Sequence, residues 1–479
     1  MGFSLKLKEK LINILDGDRV KDDKLTIYSY ESDGLTSHSS KPMGVLFPHN
    51  TEELIEVVKC LNSFNVTFLP RGAGTGLSGG AIALQESVII EMVKFNKIYD
   101  IDQLNRTITV GPGVINIKVS DAALESGLQF APDPSSQRAC SIGGNVGENA
   151  GGPHTLKYGV TVNHVLGLEL VLATGEKMTI GGDSFYGDTP DMVGLFIGSE
   201  GTFGIVTKVI CRLSPLPENI ITLLAIFPSI NDASQTVSDI ISTGMIPAAL
   251  EMMDNPVIKA IETVNKPGFP MDAEAILIIE IEGLTEEMKE ESAVITAIAE
   301  KNNAVKIKQA KDATERQAIW DARKGAFSAI GTLSPNYIIQ DGVVPRARLP
   351  EILAKIKDLG EINGLTVANV FHAGDGNLHP LILYNEQIEG ESDKAHYLSQ
   401  QILEECVNAG GSLTGEHGIG LEKNEMMSML FNEQDLNNFK QIKNSFDEKN
   451  ILNPGKIFPS PGKCSEMRFK KTTQGSSNG

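Results

Sequence analysis

His372 and His379 bracket the stretch Ala-Gly-Asp-Gly-Asn-Leu, and Glu416-His417 follows in a glycine-rich segment, Gly415 to Gly420. Asp375-Gly376 is a turn signal, so both imidazoles stand at the base of one hairpin and can face the same way. Two imidazoles and a carboxylate suit a catalytic divalent metal with open coordination positions. The same spacing also suits two hydrogen-bonded structural histidines beside a turn. The residues alone leave both readings open.

Three glycine clusters lie in the first half of the chain. Pro70-Arg71-Gly72-Ala73-Gly74-Thr75-Gly76-Leu77-Ser78-Gly79-Gly80 follows a β-like run, Val66–Leu69. Without side chains, such a loop lets backbone N–H groups converge on phosphate oxygens. A P-loop would require Gly-Lys-Ser/Thr, but Gly79 is followed by Gly80 and Ala81. A Rossmann fingerprint is formally met by Gly74, Gly76 and Gly79, yet it needs a helix next. A loop and the strand Val88–Met92 follow instead, so that match is accidental. The second cluster runs from Gly143 to Gly152, and the third reads Gly-Ser-Glu-Gly-Thr-Phe-Gly from Gly198 to Gly204. Three such surfaces together suit an extended, dinucleotide-like cofactor lying against backbone.

The elements that position these residues change character along the chain. Up to about residue 215 short strands and glycine loops dominate, with Thr107–Val110, Leu166–Ala173 and Gly204–Leu213 as further strands and Ala173–Glu176 as a hairpin turn. Met1–Leu15 reads as an amphipathic helix. Beyond Pro215 and Pro217 strands alternate with helices. Ile221–Phe227, Ala248–Met253, Ala275–Ile281, Asn336–Val344, Thr366–His372 and Leu378–Tyr384 are strands. Asn231–Ser242, Glu286–Lys301, Asp312–Ala329, Leu349–Asn363, Lys394–Val407 and Glu433–Lys449 are helices. This pattern predicts an α+β domain with helices on one face of an antiparallel sheet.

Composition narrows the class. The 479 residues exceed what one core serves, and 41% apolar with 22% charged residues describes a globular protein. A net charge of −19 repels phosphate backbones and argues against nucleic-acid binding. No apolar run approaches a bilayer span. The five cysteines, Cys60, Cys140, Cys211, Cys406 and Cys464, are too scattered for an iron–sulfur centre or a disulfide framework, and a reducing cytoplasm suits them.

With these motifs in place, the chain resembles the FAD-linked dehydrogenases of the vanillyl-alcohol oxidase superfamily, among them FAD-binding subunits of bacterial glycolate oxidase and D-lactate dehydrogenases. The resemblance runs from about Pro42 to Phe458 and is most specific in Pro70–Ala81, Pro132–Gly152, Asn369–Pro380, Gly415–Gly420 and Asn453–Lys456. It implies an α+β architecture: a two-subdomain FAD-binding domain over 1–218, an antiparallel-sheet cap over 219–439, and a segment returning to the flavin over 440–460. The polar tail 461–479 is expected to be disordered.

The resemblance also implies site residues. FAD contacts are expected from Pro70, Arg71, Gly72, Ala73, Gly74, Thr75, Gly76, Ser78 and Gly79. Further contacts are expected from Pro132, Ser136, Ser141, Gly143, Gly144, Asn145, Asn149, Gly151 and Gly152, then from Tyr158, Glu200, Gly201, Ile205, Val206 and Asn453. Thr75 stands where some members of the superfamily carry a flavin-tethering histidine, so FAD is expected to be non-covalent. His372, His379 and Glu416 would hold a divalent metal (zinc, manganese or iron), and His417 would be the base. Arg323, which read alone is a solvated helix position, would pair the substrate carboxylate. Phe327 and Ile339 stand where dicarboxylate-specific relatives carry a threonine and a lysine, which favours glycolate or D-lactate.

By the same resemblance electrons pass to partner subunits, one of them iron–sulfur, or to an electron-transfer flavoprotein, and any membrane association is through those partners. A self-sufficient dehydrogenase using a quinone or cytochrome is the alternative. From the residues alone, a zinc hydrolase on His372, His379 and Glu416, or a non-catalytic binding subunit, compete with the flavoenzyme. The glycine-rich first half discriminates, because a hydrolase has no use for it.

Overall fold

The computed structural model describes residues 2–84, 86–183 and 190–459; the expected tail lies outside them. The N-terminal helix Leu5–Leu15 starts at Ser4, whose hydroxyl accepts the Leu7 N–H, and it buries Leu7, Leu11 and Leu15. That i, i+4, i+8 stripe packs with helix Thr51–Ser63 in one apolar cluster. The helix connects Gly44–Leu46 to Phe68–Arg71, and both of these strands pair in parallel with Val88–Glu91. The glycine loop Gly72–Gly80 therefore leaves the end of a buried parallel strand, with no helix after it.

A second, antiparallel sheet has the order Ile98–Asp102, Thr107–Val110, Ile205–Arg212, Val165–Val171, Lys177–Gly181. The hairpin at Ala173–Glu176 joins its last two strands. The second glycine cluster opens the short helix Ile142–Glu148, capped by the Ser141 hydroxyl, which accepts the Gly144 N–H. The third cluster runs directly into the strand Ile205–Arg212.

Apart from a small pairing of Leu128–Gln129 with Ser214–Pro215, the remaining strands form one large antiparallel sheet around Asn219–Phe227, Ala275–Gly283, Ala249–Asp254 and Thr366–His372. Here the structure differs from expectation: helices cover both faces. Ile230–Ser242, Thr285–Lys301, Leu349–Asn363 and Glu391–Asn408 pack on one side. Asn255–Val264 and Ala313–Lys324 pack on the other. The physical reason is legible in Ala275–Ile281, an almost unbroken apolar run buried at every position, where a strand with one wet face would alternate. The expected helix Asp312–Ala329 is broken at Gly325 into Ala313–Lys324 and Ala326–Ala329. The expected strand Asn336–Val344 is likewise two, Asn336–Ile339 and Gly342–Val343, because Gln340-Asp341 turns away to serve the site. Near its end the chain returns to the first sheet, where Leu452 bridges Phe68 in parallel. No helix among the described residues is long and apolar enough to cross a membrane.

Candidate active site

A cavity of about 410 Å³ runs between the glycine clusters and the large sheet. Its wall contains Pro70, Gly72, Ala73, Gly74, Thr75 and Gly76 from the first cluster, and Ser136, Ser141, Gly143, Gly144 and Asn145 from the second. Glu200, Gly201, Ile205 and Val206 come from the third, and Lys324, Phe327, Ser328, Tyr337, Ile339, Glu416 and His417 from the large-sheet half. All three glycine clusters and two members of the histidine constellation thus open onto one space.

The other expected cofactor residues brace this wall and do not line it. Arg71 donates to the carbonyls of Tyr30, Ser32 and Ala81 and lies over the Tyr30 ring. The Ser78 carbonyl accepts from Leu421 and Glu422, and Gly79 faces Leu35 and Leu421. The Pro132 carbonyl accepts from Asn116, Asn149 caps helix Ile142–Glu148, and Gly152 packs on the Asp133–Pro134 backbone. A side chain at Gly151 would meet Thr155 and Glu416; Tyr158 donates to Glu282; Asn453 donates to the carbonyls of Gly80 and Glu200. Apart from the Ser78 hydroxyl, which is buried without a hydrogen-bond partner, each has its hydrogen bonding or packing spent inside the protein.

Two glycines separate loop geometry from ligand space. Gly74 has φ +68°, and a Cβ there would strike the Arg71 guanidinium at 2.4 Å, so any side chain breaks the loop itself. Gly144 is exposed on the wall, and a Cβ there meets only the Ser141 hydroxyl at 3.5 Å. Gly144→Leu should therefore fold with unchanged thermal stability, since a leucine is if anything better than glycine in a helix. It should nevertheless purify with a small fraction of the normal flavin, read from visible absorbance per protein. Full flavin occupancy would show that nothing approaches this backbone.

The histidine constellation is buried and tightly connected. His372 ends the strand Thr366–His372; its Nδ1 lies 2.7 Å from Glu251 Oε1 and its Nε2 3.1 Å from Glu416 Oε1. His379 Nδ1 donates to the Gln340 carbonyl at 3.3 Å, which turns its Nε2 toward Glu416 Oε1 at 3.1 Å. That Nε2 is buried without a hydrogen-bond partner. His417 stacks on His379 at 4.7 Å with 9° between the rings, its Nε2 3.7 Å from the same carboxylate oxygen. Three imidazole nitrogens thus converge on one oxygen, with an unmatched nitrogen among them. This fits a divalent cation held by His372, His379 and Glu416, whose ligand atoms all lie within 4.8 Å of one another. A second grouping, Asp341 with His379 and His417, is equally close. Asp341, however, already accepts from Thr414, Gly415, Glu416 and His417 and faces Lys423, so its oxygens anchor the 414–417 loop.

Charge follows the geometry. Burial alone would lower the His372 imidazole, but Glu251 and Glu416 outweigh it and hold the ring well above the usual range. Burial would raise the Glu416 carboxyl; His372 and His379 bring it well below the ordinary value. His417 goes the other way. Burial pushes it down to about 4 against the pull of Asp341, so it is neutral near pH 7.

Arg323 is placed differently from expectation. It is fully buried behind the wall, its Nη2 2.5 Å from Glu251 Oε2, the same carboxylate that holds His372. The approach is not aligned as a hydrogen bond, and Nε, Nη1 and Nη2 all lack one. Glu251, Asp341 and Lys324 are site residues that the sequence reading missed. A signal existed for Glu251, an acid flanked by Leu250 and Met252 in the buried strand Ala249–Asp254, which must find a partner there. Asp341 gave none, because the loop it anchors is far away in sequence.

These features meet in comparisons with known proteins. Residues 42–181 match a family model described as an FAD binding domain, and residues 216–457 match one described as FAD linked oxidases, C-terminal domain. The chain belongs to the FAD-linked oxidase family and is an FAD-binding oxidoreductase. It is 44% identical over 441 residues to the glycolate oxidase subunit GlcD of Escherichia coli (strain K12), covering 92% of this chain and 88% of that protein. It is 38% identical to the protein of the same name in Bacillus subtilis (strain 168), covering 94% and 96%. With the D-lactate dehydrogenase of Archaeoglobus fulgidus it shares 34% identity, covering 86% and 90%. Among solved structures, 4-ethylphenol oxidase from Gulosibacter chungangensis aligns with a TM-score of 0.79 at 18% identity, covering 96% of this chain and 99% of that one. A p-cresol methylhydroxylase aligns with a TM-score of 0.77 at 18% identity, covering 94% and 96%. The shared fold is the p-cresol methylhydroxylase type of FAD-binding fold.

Proposed function

We propose that the enzyme oxidises a small 2-hydroxy acid, glycolate or D-lactate, to the 2-oxo acid. The observation that carries this reading is the single cavity onto which the glycine clusters, His417 and the apolar pair Phe327 and Ile339 all open. FAD, held without a covalent bond beside Thr75, supplies the hydride acceptor that no side chain can replace. His417, neutral and buried, takes the hydroxyl proton at its ring nitrogen as C2 gives up hydride. His372, His379 and Glu416 would hold a divalent metal, which supplies Lewis acidity toward the hydroxyl.

Arg323 is assigned to the substrate carboxylate. Glu251 offsets the buried charge of Arg323 at 2.5 Å and ties it to His372, but its N–H donors make no hydrogen bond, and a carboxylate is the group that would take them. The wall near His379 is apolar: the Phe327 ring lies 6.0 Å from that imidazole. Ile339 and Tyr337 extend the apolar surface, and the lysine of the same wall, Lys324, is held by Asp133 at 3.2 Å. Stopped-flow reduction should therefore be far faster with glycolate or D-lactate than with D-2-hydroxyglutarate, and Arg323→Ala should lower kcat/KM by roughly 10²-fold or more, the loss of a buried charged anchor. Preference for the dicarboxylate would refute this assignment. The relatives named as glycolate oxidase subunits support a further reading, that electrons leave through a partner, an iron–sulfur subunit or an electron-transfer flavoprotein. The four described cysteines are free and buried.

A further inference from the structure

Among the described residues of the cavity wall there is one lysine and no arginine: Lys324. It follows Arg323 on the helix Ala313–Lys324. Successive helical side chains diverge by about 100°, so Arg323 turns inward to Glu251 while Lys324 faces the cavity. Lys324 Nζ lies 3.2 Å from Asp133 Oδ2. The same oxygen is 2.9 Å from His154 Nδ1, and His154 Nε2 is 3.1 Å from Glu280 Oε1. Glu280 is fully buried on the large sheet, where it also accepts from Arg316, Trp320 and Thr222. Both ring nitrogens of His154 face carboxylates. Burial alone would lower this imidazole, but Asp133 and Glu280 raise it to about 10, so it is charged.

Glu282, which also faces Arg316, is balanced by Lys157 at 3.1 Å; the rest of the chain of contacts holds three cations, Lys324, His154 and Arg316, against two anions, Asp133 and Glu280. One positive charge is left over, and the member that meets the cavity is Lys324. An ammonium has three N–H donors, and Asp133 takes one. The neighbouring wall, Phe327 and Ile339 with His417, is where the proposed reaction places the hydride donor. Hydride brings two electrons and one proton to the cofactor, which gains a net negative charge.

We propose that Lys324 is the cation that meets this charge, a positioning and tuning residue that sets how readily bound FAD is reduced. It does so as a fixed charge near a cofactor ring, held in place by Asp133. The inference rests on the FAD-in-cavity reading above.

The test is the two-electron reduction potential of the FAD-loaded full chain, measured anaerobically against a reference dye for the wild type, Lys324→Met, Lys324→Gln and Lys324→Arg. Both neutral variants should shift the oxidised/reduced equilibrium at least tenfold toward the oxidised form, about 30 mV for a two-electron couple. Lys324→Arg should stay within threefold of the wild type. The potential is read without any hydroxy acid, so the result is independent of which substrate the enzyme takes. If either neutral variant binds FAD and keeps the wild-type potential, the proposal is wrong. A raised KM at unchanged potential would place Lys324 with the substrate and overturn it equally.

Discussion

His417→Ala should slow reduction of the bound flavin by roughly 10²–10⁴-fold, the usual contribution of a positioned general base. The expectation comes from three properties found together only at this residue. His417 faces the cavity that the glycine clusters share, its ring lies parallel to His379 at 4.7 Å, and burial keeps it neutral. A base must be deprotonated before it can act, so a value pushed down to about 4 leaves it competent across the neutral range and lost only as the pH falls through that value. Its backbone N–H is tied to Asp341 at 2.9 Å, so removing the ring should leave the 414–417 loop in place. The alanine variant should therefore keep its flavin and melt close to the wild type. Single-turnover reduction by glycolate or D-lactate separates this from binding. A loss under tenfold would assign the proton to another group, and His379 is the next candidate by geometry.

Stripping the divalent metal, or replacing its ligand in His379→Ala, should remove most activity, roughly 10²-fold or more, because Lewis-acid polarisation is worth several kcal/mol. Bound FAD should stay. The glycine-cluster wall is built from residues 70–76, 136–145 and 200–206, whereas His372 and His379 sit on and beside the strand Thr366–His372 of the large sheet. Flavin absorbance and elemental analysis of the same sample check both halves of the statement. Readdition of zinc, manganese or iron to the stripped wild type should restore turnover, and His379→Ala should not respond. Normal turnover in a metal-free preparation would make the convergence of His372, His379 and His417 on Glu416 a purely structural hydrogen-bond cluster. The orphaned His379 Nε2 would then need another partner, and water is the simplest.

These two effects act at opposite ends of one carboxylate set. Glu251 holds His372 from behind and Asp341 holds the loop that carries Glu416 and His417, so the proposed ligands and the proposed base are both oriented by buried acids. Neither acid faces the cavity, and both lie on the large sheet or its connecting turns. The cap-like half thus does more than cover the cofactor space. It supplies every titratable group that the proposed chemistry uses.

The sequence by itself determined the cofactor-binding half to a large extent. Glycine clusters are written in contiguous residues, and the loop after Phe68–Arg71 or the turn at Ala173–Glu176 depends on local backbone freedom that neighbouring letters reveal. The turn between His372 and His379 was legible for the same reason. The double-sided burial of the large sheet was also present, in the run Ala275–Ile281, apolar except at Glu280, although its meaning depends on which helices arrive to cover it. Only the tertiary structure decided what the charged residues do. Arg323 and Lys324 are adjacent letters, yet one is buried beside Glu251 and the other lies on the cavity wall beside Asp133, because a helix separates neighbours by about 100°. Arg71 and Asn453 fall among the cofactor motifs yet spend their donors on the Ser32, Gly80 and Glu200 carbonyls. A buried charge or amide takes its role from its partners. Those partners, 72 residues away for Glu251 and Arg323 and 191 for Asp133 and Lys324, are chosen by packing between sheets, which no local pattern encodes.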